Sequence, residues 1–142
     1  MAVLMQVMPN GGGYGNVKLF DKATVRKFTR SSSEDVASGL GWRANGNASM
    51  TPTFDVLASS ETYGHTGWTG TMTSIDPINH MAIVILSNRP HSPVADPKIN
   101  PNVFVSGLLP AATYGWIVDQ ICGALKKIYK GTQIESLYIS TS

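Results

Sequence analysis

The chain has 142 residues, 42% hydrophobic and 14% charged, with 11 basic against 9 acidic side chains and a net charge of +2. That length suits one domain with a modest core rather than two. Charges are scattered, with nothing beyond pairs such as Arg26-Lys27 and Lys126-Lys127, so neither nucleic acid nor an anionic membrane is implied as a partner.

The longest apolar run, residues 81 to 86, is far too short to span a membrane. The opening Met1-Ala2-Val3-Leu4-Met5 lacks the basic and long apolar regions of a signal peptide. Sparse charge on a small chain predicts that part of the surface is covered.

Residues 2 to 8 are almost wholly apolar and stop at Pro9-Asn10-Gly11-Gly12-Gly13, which reads as the tail of a helix that must dock or fray. Gly11-Gly12-Gly13 is not followed by Lys-Ser or Lys-Thr, so no phosphate loop is expected. Asp21 to Thr29 reads as a short helix with Asp21 as N-cap and Val25 and Phe28 as its apolar edge. A polar linker follows at Ser31-Ser32-Ser33-Glu34-Asp35, then a strand near Leu40 to Ala44 that ends in the turn signal Asn45-Gly46-Asn47. Residues 48 to 62 lack periodicity and read as a surface excursion.

The stretch from Tyr63 to Arg89 reads as three adjacent antiparallel strands. Gly64-His65-Thr66-Gly67-Trp68-Thr69-Gly70 leads into the alternating Thr71-Met72-Thr73-Ser74-Ile75-Asp76, a turn at Pro77, and the apolar run His80 to Leu86. Residues 90 to 110, with five prolines and two asparagines, read as a long irregular connection. Thr113 to Tyr129 has the clearest helical period: Tyr114, Ile117, Val118, Ile121, Cys122, Leu125, Ile128 and Tyr129 share a face that must bury against the sheet. Trp42 and Trp116 read as core or interface residues. The single cysteine, Cys122, excludes an internal disulfide and is expected as a buried small hydrophobe. His65, His80 and His91 share no metal-ligand spacing, so neither metal nor cofactor is expected.

His65-Thr66-Gly67 on a strand, with Gly39-Leu40-Gly41-Trp42 upstream and Asp76-Pro77 and Asn88-Arg89 downstream, resembles the carboxy-terminal part of the serine β-lactamase and penicillin-binding-protein superfamily. The nearest branch is that of class C β-lactamases, D-alanyl-D-alanine carboxypeptidases and related esterases. The resemblance covers most of residues 1 to 130. It implies an α+β fold in which an antiparallel sheet of three to four strands is backed by a C-terminal helix, as part of the superfamily's α/β domain. The chain is then one partial domain: helix tail and short helix at 1 to 30, sheet at 39 to 89, terminal helix at 113 to 130.

The resemblance also implies roles. His65 takes the basic position of the superfamily's third motif and Thr66 its hydroxyl. Gly67 keeps side chains out of the cleft, and Trp68 lends a backbone N–H to an oxyanion hole. Histidine in place of the commoner lysine favours neutral ester or short peptide substrates over β-lactams. The nucleophile of such enzymes is a serine with lysine three residues on, and no serine here has one. Thr24-Val25-Arg26-Lys27 has the spacing with the wrong nucleophile, and Tyr14-Gly15-Asn16 matches the Tyr-x-Asn motif by letter but in the wrong place.

The expectation is therefore a carboxy-terminal segment, inactive alone, whose partner is the missing amino-terminal part of a parent hydrolase in the bacterial envelope or cytoplasm. The alternative is a non-enzymatic binding or self-associating module derived from that fold, with a homo-oligomer covering the open surface.

Overall fold

The computed structural model describes residues 2–31, 35, 37–109 and 113–131. Its elements in chain order are α1 (Ala2–Val7), β1 (Gly13–Tyr14), β2 (Val17–Lys18), α2 (Lys22–Thr29), β3 (Arg43–Ala44), α3 (Thr51–Phe54), β4 (Tyr63–Thr66), β5 (Met72–Asp76), β6 (Met81–Ile85), β7 (Val94–Asp96), β8 (Asn100–Phe104) and α4 (Tyr114–Gly131). The main sheet is antiparallel in the order β3-β4-β5-β6, and two small ribbons, β1-β2 and β7-β8, stand beside it. The antiparallel sheet and C-terminal helix are those expected from the sequence.

Alternation along the strands divides the core in two. Met72 and Ile83 face α3 and α4, where they pack with Met50, Phe54, Ala58, Val118 and Cys122. Tyr63, Ile75 and Val84 face the opposite way, onto Met5 and Met8 of the α1 segment and Val25 of α2. The apolar start of the chain thus docks on the sheet's second face. Of the predicted α4 stripe, Val118 and Cys122 are fully buried, Tyr114, Ile117, Ile121 and Leu125 partly so, and Ile128 is exposed. Trp116 is exposed and Trp42 half-buried, edge-on to Tyr63 at 5.3 Å.

Four local expectations change. Gly39 to Trp42 is a tight turn rather than a strand: the Gly39 N–H donates to the Trp42 carbonyl at 2.8 Å and Gly41 takes a positive φ of 78°, so pairing begins only at Arg43. Residues 48 to 62 are no surface excursion. Asn47 caps a 3₁₀ turn that runs into α3, and this delivers Met50, Phe54 and Ala58 into the core. Residues 90 to 110 contain the β7-β8 ribbon between two 3₁₀ turns, with Pro101 on β8 of this two-stranded sheet, where a missing ladder donor is tolerated. In α2, Asp21 is the N-cap as expected, accepting from the Thr24 N–H at 2.6 Å, but only Val25 of its apolar edge is buried and Phe28 is exposed. Most of the linker at 31 to 35 lies outside the described residues, as does the Tyr129 side chain.

Asp76 ties the sheet to its connections. It is fully buried at the end of β5 and accepts from the Ser59 N–H and hydroxyl, from the Ile78 and Asn79 N–H groups, and from the Asn79 side-chain amide. Burial pushes its carboxyl up, but the Ser59 and Asn79 hydrogen bonds outweigh it and hold the group below the ordinary value of 3.8.

Candidate functional site

β4 carries His65 and Thr66, and the turn that follows carries Gly67 and Trp68. On one side β4 pairs with β5 along its whole length, from Tyr63↔Ile75 to Thr66↔Met72. On the other side β3 reaches only Tyr63 and Gly64. The Gly67 N–H bonds the Thr71 carbonyl at 2.7 Å, toward β5, so by alternation the backbone groups of Thr66 face the side that β3 has left. Among the described residues, the strand edge of β4 is therefore without a paired strand from Thr66.

The His65 imidazole lies against that edge, with Nδ1 2.8 Å from the Thr66 carbonyl oxygen. A carbonyl only accepts, so Nδ1 is the donor of this pair, which leaves Nε2 as the ring nitrogen not engaged with Thr66. His65 is exposed and Thr66 half-buried.

The turn is held from three directions. Gly70 N–H donates to Gly67 O at 3.0 Å and closes it. The irregular segment leaving β6 clamps it: Arg89 N–H donates to Thr69 O at 2.8 Å, and Ser87 Oγ to Gly70 O at 2.5 Å. Trp68 is 63% exposed, yet its ring meets Phe104 of β8 edge-on at 5.8 Å. Arg89 in turn lies over the Tyr114 ring, 5.8 Å from its centroid, at the start of α4.

A Cβ on Gly67 would meet Thr71 Oγ1, a side-chain atom that would have to rotate away to make room. The sequence reading pointed to His65, Thr66, Gly67 and Trp68, and the structure gathers them on one strand end and turn. It missed Phe104, hidden in a stretch read as irregular, and Thr71, a hydroxyl in an ordinary strand pattern. Arg89 was visible as part of Asn88-Arg89, but its bond to Thr69 depends on β6 returning beside β4's turn. His80 sits in the β5-β6 hairpin at φ 49° and His91 in a 3₁₀ turn, and among the described residues no three metal-ligating side chains cluster.

The family model described as Beta-lactamase matches residues 1–108, three quarters of the chain. The chain belongs to the β-lactamase family. Proteins called "Putative D-alanyl-D-alanine carboxypeptidase" from Salmonella typhi, Salmonella paratyphi B and Salmonella newport are each 83% identical to it over 126 residues, 89% of its length. The matched region makes up 29% of each of those proteins, so this β-lactamase-family chain spans less than a third of the curated relatives.

Proposed function

We propose that this chain forms one wall of a serine hydrolase cleft of carboxypeptidase, β-lactamase or esterase type, and that a polypeptide carrying Ser-x-x-Lys supplies the nucleophile and the other wall. The observation that carries this reading is the open edge of β4 at Thr66, on the motif that resembles the family's third motif. An extended acyl substrate lies along such an edge as an added strand. Its carbonyl oxygen is received by the Trp68 N–H at the rigid turn, opposite a donor from the nucleophile. Thr66 offers its hydroxyl, and Nε2 of His65 accepts a proton or hydrogen bond beside the reacting centre. Taken alone, the chain has no attacking group and turns nothing over. The identity of the Salmonella relatives favours a peptide ending in a carboxylate among the three substrate types.

The test is steady-state kinetics on the intact hydrolase containing this segment. Thr66→Val is expected to lower kcat/KM by about 10²-fold, the usual weight of a positioned proton-handling group. His65→Lys places a permanent cation at the edge and should improve carboxylate-bearing substrates over neutral esters by about tenfold. Wild-type kcat/KM in Thr66→Val would remove the cleft assignment.

A further inference from the structure

Lys22, Arg26 and Arg30 recur at every fourth residue along α2 and its C-cap. Four residues rise about 6 Å, so the three cations form a single row. All three line a cavity of about 380 Å³, a volume suited to a small organic ligand. Val25 and Tyr63, both buried, give it an apolar base, and Glu61 is the one carboxylate among its described lining residues. Arg26 and Arg30 near the helix C-terminus would suit the helix dipole with no ligand at all. Lys22 does not fit that explanation: as the first residue of α2 it sits where the dipole disfavours a cation. Its side chain, though exposed, lines the cavity beside Gly11. Lys27, one residue beyond Arg26, does not line the cavity.

We propose that this cavity binds a small organic dianion. Its two anionic groups lie along the Lys22-Arg26-Arg30 row, its uncharged body rests on Val25 and Tyr63, and Glu61 repels a further negative charge at the other end. The site is separate from the strand edge at Thr66 and does not depend on the hydrolase reading.

Titration of the ¹⁵N-labelled chain with adipate, two carboxylates across four methylenes, and with hexanoate, the same chain bearing one, tests this by amide chemical shifts. Adipate is expected to shift residues 22–30 and 61–63 saturably and to bind about fivefold tighter than hexanoate, as expected for one added ion pair. Arg26→Gln and Lys22→Gln should each weaken adipate about threefold, with spectra that otherwise remain those of the folded chain, while Lys27→Gln changes nothing. Equal affinity for the two acids, shifts that never saturate, or a loss in Lys27→Gln matching that in Arg26→Gln would each overturn the site.

Discussion

Asp76 and His65 show how differently two polar side chains on neighbouring strands are employed. Asp76 is enclosed and satisfied by Ser59, Ile78 and Asn79, so it locks the β5-β6 turn to the segment that precedes β4. Asn in its place loses a charge and aims an amide N–H₂ at groups that are themselves donors, a cost of about 3 kcal/mol. Urea unfolding of Asp76→Asn at pH 6 measures that loss, and a difference under about 1 kcal/mol would contradict this role. Its pH dependence follows from the lowered carboxyl. The contribution is complete above the unfolded value of about 3.9 and is lost as pH falls through the lower folded value, so wild-type stability should drop toward pH 3 more steeply than that of Asp76→Asn. Both features were partly legible in sequence: Asp76-Pro77 signalled a turn, and His65-Thr66-Gly67 a motif. That Asp76 also holds Ser59, seventeen residues away, required the fold.

At the scale of elements, the contact of α3 with α4 decides whether the C-terminal helix seats. Gly115 in the first turn of α4 touches α3 so closely that a Cβ would collide with the Thr51 carbonyl and stand 3.2 Å from Asp55 Cβ, while the Leu57 N–H donates to Asp119 at 2.9 Å. In an exposed helix Gly→Ala adds about 1 kcal/mol of stability. Here Gly115→Ala is expected to cost about 2 kcal/mol by overpacking, so calorimetry should show a lower Tm, and a raised Tm would refute the close approach. The long strands and α4 were readable because each repeats its period over several residues. The 3₁₀ turn and α3 were not, since Met50, Phe54 and Ala58 reach the core within two short turns that complete no pattern. The Gly39-Leu40-Gly41-Trp42 segment misled in the opposite sense: its aromatic and its family likeness suggested a strand, but Gly41 at positive φ makes a turn.

Across the whole molecule, a sheet covered on both faces coexists with much uncovered apolar surface. Leu4, Phe20 and Phe28 are exposed around a groove of about 270 Å³ that also includes the half-buried Trp42. We propose that the isolated chain self-associates through such surface, and light scattering at moderate concentration should return a dimer or larger species; a monomer mass would argue against it. The fold class and the motif strand were legible because a hydrophobic period and a short motif are local. The open edge was not, because it arises where β3 stops short of His65, a matter of lengths on a strand twenty residues away. On that edge rests the claim that these residues form half of a hydrolytic cleft. Covalent labelling by a fluorescent penicillin tests it most directly, applied to the purified 142-residue chain and to the intact hydrolase with and without Thr66→Val. The expected result is no label on the chain alone, label on the intact protein, and labelling slowed about a hundredfold by the substitution. Steady labelling of the isolated chain, or a Thr66→Val protein that labels at the wild-type rate, would contradict it.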